Sequence, residues 1–327
     1  MPAVSIAIIR GGRLAWQKAF GVKDTSRNEP VDINSPFAAC SNTKPVFAYG
    51  VVKLCEKGVL DLDKPLTQYT KQRITTDPRL DLITTRHVLA HTAGFPNWRQ
   101  GKDLPIQFTP GSKYEYSGEG FSYLQSVVAE VTRKPFIDFM NEDVLAPLGM
   151  TSSRILSIEG TDYEKQVASG HDQNGKPIPD NASTPEKRAE DMARYGAAAA
   201  LRTTPGDYAK FLLEYLDPKP ADTFRINAAS RAEMLRPQIK KSENTWEGLA
   251  WHLEQFDGTP VLFTHAGQAD GWYCFCGAST ERRSGLKVML NGDNYVPFLM
   301  KLLANPSGPP VEPKDLWSDF AKRFFAA

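Results

Sequence analysis

Strand-like patterns occur at both ends of this chain, and helical patterns fill the region between them. Near the start, residues 3–10 and 13–20 alternate in polarity on either side of Gly11-Gly12, which is typical of a β-hairpin. Four further strand-like runs come late in the chain: Leu249–Glu254, Val261–His265, Trp272–Cys276 and Lys287–Leu290. The pattern predicts an α/β (α+β) fold, in which both chain ends build one sheet and a mainly helical region is inserted between them.

This pattern also predicts how the chain is divided. Residues 1–40 and 235–327 are expected to form the α/β sheet domain, and residues 41–234 the mainly helical domain, with the functional site between them. Apolar residues at helical spacing and capping residues predict the local elements. Helices are expected over 84–91, 118–134 and 314–325 and from Thr204 onward, and a long surface loop over 172–191.

Composition excludes several classes of protein. Among 327 residues the net charge is only +1, which gives no basic surface for nucleic acid or an anionic membrane. No apolar run is long enough to cross a bilayer. The first residues carry no basic segment followed by an apolar stretch, which predicts a cytoplasmic protein or a chain whose leader has been removed. Its four cysteines form no Cys-x-x-Cys motif, so we expect reduced thiols and no disulfide framework.

The first candidate for chemistry is Ser41-Asn42-Thr43-Lys44, where a turn-prone loop enters an apolar helical pattern. Lys44 follows Ser41 by three residues, which places both side chains on one face of the helix. A helix start also offers free N–H groups and the positive end of the helix dipole. Considered alone, such a tetrapeptide is more often an N-cap serine beside a solvated lysine.

Two later stretches complete a possible constellation. Tyr116 lies in the polar segment 108–118, and His265-Ala266-Gly267-Gln268 lies at the end of a late strand. Each alone has an ordinary structural explanation, as a half-buried aromatic residue or as a strand-end histidine. All three stretches occur in the order and the surroundings expected of one active site, and this makes a shared catalytic role more plausible than three separate structural roles.

Together these motifs resemble the serine β-lactamase-like superfamily, and most of all the branch that contains class C β-lactamases, DD-peptidases and family VIII esterases. The resemblance covers essentially the whole chain, including residues 83–94 and 248–251. It implies a β-lactamase/transpeptidase-like fold and a serine hydrolase that forms an acyl-enzyme. Its substrate would be a small ester or amide, and no metal or cofactor is expected.

The resemblance also assigns roles residue by residue. Ser41 matches the acylated nucleophile, Lys44 the motif lysine and Tyr116 the tyrosine of the Tyr-x-Asn element. The N–H groups of Ser41 and Gln268 match the oxyanion hole. On chemical grounds Lys44 could take the serine proton if its pKa were lowered, and Tyr116 could share or relay that proton. The substrate-binding candidates are His265, Gly267, Gln268 and Gly118.

This sequence departs from the family pattern at two positions. Gly118 replaces the asparagine of Tyr-x-Asn, and His265 replaces the lysine of Lys-Thr-Gly, although His-x-Gly also occurs in the family. In β-lactamases, that asparagine helps to hold the amide of the substrate side chain, and that lysine supplies positive charge for the substrate carboxylate. Both changes favour an esterase-like activity, with weak β-lactamase or D-peptidase activity as a further possibility.

Other interpretations remain open or are disfavoured. The chain could instead be a penicillin-binding sensor that does not turn over, an inactive scaffold, or an acyltransferase. His87 and His91 have the i, i+4 spacing of a zinc pair, but without an intervening glutamate a helix-packing role is favoured. The absence of Gly-x-Ser-x-Gly disfavours a standard α/β-hydrolase. The sequence does not specify the oligomeric state.

Overall fold

A computed structural model describes residues 1–101, 104–155, 162–179, 184–255 and 261–298 of the chain. In these residues the strands are β1 (Ala3–Arg10), β2 (Arg13–Asp24), β3 (Glu29–Pro30), β4 (Phe37–Ala38), β5 (Arg154–Ile155), β6 (Leu201–Thr203), β7 (Ile239–Lys240), β8 (Thr245–Glu247), β9 (His252–Glu254), β10 (Leu262–Ala269), β11 (Trp272–Ser279) and β12 (Ser284–Leu290). The helices are α1 (Thr43–Glu56), α2 (Thr85–Leu89), α3 (Gly118–Thr132), α4 (Phe136–Asp138), α5 (Pro185–Ala199), α6 (Pro205–Leu216) and α7 (Ala228–Met234).

One large antiparallel sheet is built from both ends of the described chain. Its nine strands follow the order β3-β2-β1-β12-β11-β10-β9-β8-β7. The two ends meet where β1 pairs with β12, with Val4 opposite Leu290. This arrangement confirms the predicted fold class. A second sheet has three strands in the order β4-β6-β5. The division into domains at residues 1–40, 41–234 and 235–327 stays a prediction.

The hairpin at the start of the chain forms as its sequence predicts. Gly11 and Gly12 join β1 to β2 with φ angles of +56° and +73°, and glycine adopts this left-handed region without a steric penalty. The hairpin then packs on the helical layer, because α6 lies against β1, β2 and β12. Thr204 caps α6 by accepting a hydrogen bond from Asp207 N at 3.1 Å, with Pro205 in the first helical position.

Strand register places a polar row on the face of the sheet that meets the helices. His265 lies opposite Cys276, Cys276 opposite Lys287, and Lys287 opposite Ala7. Residues that face each other across antiparallel strands share one side of the sheet. All four are buried, so a lysine and a histidine lie inside the interface between sheet and helices.

Several local predictions need correction or fall outside the described residues. The loop predicted over 172–191 is wrong from Pro185 onward, because Thr184 caps α5 there. The strand predicted over Leu249–Glu254 is limited to its last three residues, since Ala250 has a φ of +60°. The helix predicted over 314–325 lies outside the described residues. No helix in the described part is long and apolar enough to cross a bilayer.

Candidate active site

Ser41 lies at a sharp change of backbone direction. Strand β4 ends at Ala38, a 3₁₀ turn spans Cys40–Asn42, and α1 begins at Thr43. Cys40, just before the serine, has a φ of +45°, a left-handed conformation that costs free energy for a residue with a side chain. This turn leaves Ser41 half-buried between two fully buried neighbours. The backbone therefore presents the hydroxyl to a partly accessible site.

Lys44 is the partner of Ser41. Its Nζ lies 3.2 Å from Ser41 Oγ and donates to the carbonyl oxygen of Ala198 at 3.0 Å. The side chain is 1% exposed, and none of the ion pairs in the described residues includes it. Burial disfavours the charged ammonium and lowers the Lys44 pKa to about 7. At neutral pH a large fraction of Lys44 is therefore a free amine able to accept a proton.

Tyr116 completes the predicted trio. Lys44 Nζ lies 4.8 Å from the centroid of the Tyr116 ring, and the Ser41 side chain is close enough to the phenol to affect its pKa. Burial raises the pKa of Tyr116 above its ordinary value, although the nearby Ser41 side chain works in the opposite direction. The phenol is therefore protonated at neutral pH. In this geometry Lys44 is the group suited to remove a proton, and Tyr116 is suited to donate or relay one.

The His91 ring packs against the Tyr116 ring. The His91 ring stacks on the phenol with centroids 4.3 Å apart, and its Nδ1 accepts a hydrogen bond from Ser117 N at 3.0 Å. Burial, with a smaller contribution from Lys44, lowers the pKa of His91 well below its ordinary range, so the ring is neutral. The sequence predicted a helix through residue 91 and a helix-packing role for His91, but α2 ends at Leu89 and His91 follows it with a φ of +55°. Its contact with a candidate catalytic residue was not foreseen.

Gly267 brings β10 beside the nucleophile. A Cβ atom at this position would lie 2.9 Å from Ser41 N and 2.7 Å from the carbonyl oxygen of Ala39. Only glycine allows the two backbones to approach so closely. The Gln268 side chain, one residue further on, is exposed. This approach is what an oxyanion hole made by the N–H groups of Ser41 and Gln268 requires, and that role stays a prediction.

His265 is buried on the same face of β10 as Gly267, two residues before it. Its ring lies 6.4 Å from the Tyr116 ring and stacks on His252 at 5.2 Å. Burial lowers the pKa of His265 well below its ordinary range, so the ring is neutral. Its Nε2 is buried and has no hydrogen-bond partner among the described residues. His265 therefore does not supply the fixed positive charge of the family's motif lysine.

Asn42 and Lys287 form a clamp that sequence analysis missed. Asn42 Nδ2 donates to the carbonyl oxygen of His265 at 2.9 Å, and Lys287 Nζ donates to Asn42 Oδ1. Tyr208 adds a hydrogen bond from its hydroxyl to Asn42 O at 2.9 Å, and Lys287 Nζ lies 4.1 Å from the Tyr208 ring centroid. These contacts fix the Ser41 turn against β10. The signal was a lone lysine inside the apolar run 286–290.

Comparison with known proteins identifies the family of the chain. The family model described as Beta-lactamase matches residues 1–303. The chain belongs to the beta-lactamase family. The resemblance predicted from the sequence motifs is thereby confirmed.

The similar proteins differ in how much of their length matches this chain. Protein flp of Staphylococcus aureus is 22% identical over 93% of this chain, which spans only 62% of the length of that protein. Esterase EstB of Burkholderia gladioli is 28% identical over 53% of this chain and 52% of its own length. An octameric penicillin-binding protein homologue from Pyrococcus abyssi superposes with a TM-score of 0.77 at 22% identity, covering 93% of this chain and 72% of that one.

Proposed function

We propose that this protein is a serine hydrolase that cleaves small esters through an acyl-enzyme on Ser41. The observation that carries the proposal is a serine hydroxyl in contact with a buried lysine whose pKa is lowered to about 7. A serine hydroxyl becomes an effective nucleophile only when a nearby base takes its proton. Lys44 meets this requirement in both position and protonation.

In the proposed acylation step, Lys44 Nζ takes the proton of Ser41 Oγ as that oxygen bonds to the ester carbonyl carbon. The N–H groups of Ser41 and Gln268 stabilise the resulting oxyanion. The carbon–oxygen bond to the alcohol then breaks. The proton passes from Lys44 to the leaving oxygen through the Tyr116 hydroxyl, which lies beside the Ser41 side chain.

In the proposed deacylation step, water replaces the alcohol. Its oxygen bonds to the acyl carbon while its proton moves to Lys44, directly or through Tyr116. The bond from the acyl carbon to Ser41 Oγ then breaks, and the serine oxygen regains a proton. The carboxylic acid leaves, and Lys44 returns to its neutral form.

Two features favour esters over β-lactams. His265 is neutral and therefore offers no fixed cation for the carboxylate of a β-lactam. Gly118 offers no side-chain amide for the substrate. The similarity to esterase EstB, 28% over about half of this chain, supports the same choice.

The proposal is tested by locating the acylated residue. The protein is incubated with a fluorophosphonate, with p-nitrophenyl esters and with a cephalosporin, then digested and examined by mass spectrometry. We expect one adduct per chain on the peptide that contains Ser41, together with continuous release of p-nitrophenol. An adduct elsewhere would overturn the assignment of Ser41. A single burst without turnover would instead favour a penicillin-binding protein that does not turn over.

The lowered pKa of Lys44 predicts the pH dependence of the reaction. The base must be neutral, so kcat/KM should rise about tenfold per pH unit below pH 7 and level off above it. Initial rates with p-nitrophenyl acetate between pH 5 and 9, corrected for spontaneous hydrolysis, measure this. A rate that keeps rising about tenfold per pH unit up to pH 9, as a lysine with its ordinary pKa of about 10.4 would give, would contradict the proposed base.

A further inference from the structure

The space beside Gly118, where the family has an asparagine side chain, is filled by an indole ring. A Cβ atom placed on Gly118 would lie 2.7 Å from Trp98 Cζ3 and closer still to two other carbons of the same ring. Such contacts are far shorter than the carbon–carbon optimum of about 3.5–4.0 Å. An asparagine at 118 and the observed position of Trp98 are therefore incompatible. The indole has replaced the amide.

Both neighbours of Trp98 are anchored, which holds in place the backbone that carries the ring. Gly118 N donates to the side-chain oxygen of Asn97 at 2.9 Å and to its carbonyl oxygen at 3.0 Å. On the other side, Arg99 N donates to Glu119 Oε1 at 2.9 Å, and Arg99 Nε donates to Glu119 Oε2 at 2.8 Å. The Glu119 carboxylate is buried, while the Arg99 side chain keeps about a third of its surface exposed.

Backbone geometry places the indole on the catalytic side. Ser117 has extended angles, φ −138° and ψ 118°, so positions 116 and 118 project in the same direction. The side of Gly118 that Trp98 covers is therefore the side to which Tyr116 points. Trp98 itself is only half-buried, which leaves part of the ring accessible.

A second contact independently ties Trp98 to the site. Its ring packs edge-on against Tyr195 with centroids 4.8 Å apart. Tyr195 lies on α5 three residues before Ala198, whose carbonyl oxygen holds Lys44. Residues three apart share a helix face, so the aromatic pair lies one turn from the base.

We propose that Trp98 and Tyr195 form an apolar subsite that binds the hydrocarbon part of an ester substrate. This inference rests on the proposed esterase function and names its substrate class: esters with an extended apolar acyl or alkyl group. An aromatic wall gains free energy by covering hydrocarbon and offers no amide with which to hold an amidated acyl group. Trp98 is thus a specificity-determining residue.

The geometric part is tested by thermal denaturation of Gly118→Ala, Trp98→Ala and the double variant. Gly118→Ala alone should lower Tm by about 2 °C or more, because the added methyl collides with the ring. In the Trp98→Ala background the same change should be neutral or raise Tm, since alanine favours a helix more than glycine does. Equal Tm changes in both backgrounds would overturn the packing argument.

The functional part is tested with two series of esters. One series varies the acyl chain of p-nitrophenyl esters from acetate to hexanoate, and the other varies the alcohol of alkyl acetates from methyl to hexyl. Trp98→Ala should lower kcat/KM about tenfold or more for the longest member of one series, while the shortest member changes less than twofold. The affected series identifies which side of the ester the subsite binds.

Trp16→Ala is the matched control, because Trp16 is exposed on β2 and lies outside the site. It should leave chain-length preference unchanged. If Trp98→Ala hydrolyses both series with the wild-type preference, the subsite is refuted and the hydrolase proposal stands. If the wild-type protein hydrolyses no ester at all, the proposed function fails first.

Discussion

Replacing Ser41 by alanine is expected to lower kcat for p-nitrophenyl butyrate by about 10³-fold or more. The change removes only the oxygen that would form the acyl-enzyme. It leaves the oxyanion donors in place, so a small residual rate over water should remain. Steady-state release of p-nitrophenol measures the effect, and the fluorophosphonate adduct on this peptide should disappear.

The fold should survive this substitution. The Ser41 side chain is only half-buried, and the turn around it is held by Asn42, Lys287 and Tyr208. Ser126→Ala on α3 is a suitable control, because among the described residues the Ser126 hydroxyl bonds only to Tyr123 O of its own helix. Both variants should denature within a few degrees of the wild-type protein. Near-normal turnover by folded Ser41→Ala would refute the proposed nucleophile.

Much of the architecture was predictable because its signals are local. Alternating polarity around Gly11-Gly12 predicts the hairpin, and Thr204 with Pro205 predicts the start of α6. Strand patterns at both chain ends also indicate how the sheet is assembled. The loop prediction over 172–191 failed from Pro185 onward, where a composition rich in Pro, Asp, Asn, Lys and Glu suggested a loop. Thr184 and Pro185 in fact begin α5 there.

The candidate trio was predictable for a different reason. Ser41, Lys44 and Tyr116 were assigned from motif order, which no periodicity argument could have supplied. Their convergence depends on contacts between distant parts of the chain: Ala198 lies 154 residues from the lysine it holds. Motif order therefore indicated which side chains form the candidate site. The lowered pKa of Lys44, in contrast, depends on its burial in the folded chain.

What sequence could not supply is the support around the trio. Lys287 and Asn42 are separated by 245 residues, and only the register of β12 against β11 places the lysine below the Ser41 turn. The position of Trp98 was also not predictable, because Gly118 in place of the family's asparagine suggests an empty space beside Tyr116. The loop hydrogen bonds at Asn97 fill that space with an indole. When a side chain from one loop fills the space left by a residue of another, neither segment shows this in its own sequence.

Replacing Lys44 by methionine is expected to lower kcat/KM for p-nitrophenyl butyrate by about 10²–10⁴-fold, the range attributed to general base catalysis. Methionine keeps the aliphatic length of the buried side chain but cannot accept a proton. Its Tm should fall by a few degrees, because the buried carbonyl oxygen of Ala198 loses its hydrogen-bond donor, so the rate must be measured well below the transition. Tyr116→Phe, which removes one hydroxyl, is the matched variant for the relay.

The pH profiles of these two variants decide which group is the base. If Lys44 is the base, Tyr116→Phe should keep the rise in rate near pH 7 at a lower plateau, whereas Lys44→Met should lose that rise. The double variant should be little slower than the slower single variant, because both residues move the same proton. If Lys44→Met keeps the inflection near pH 7 and Tyr116→Phe abolishes it, the roles are reversed. That outcome would require a phenolate at neutral pH, against the raised pKa that burial gives Tyr116.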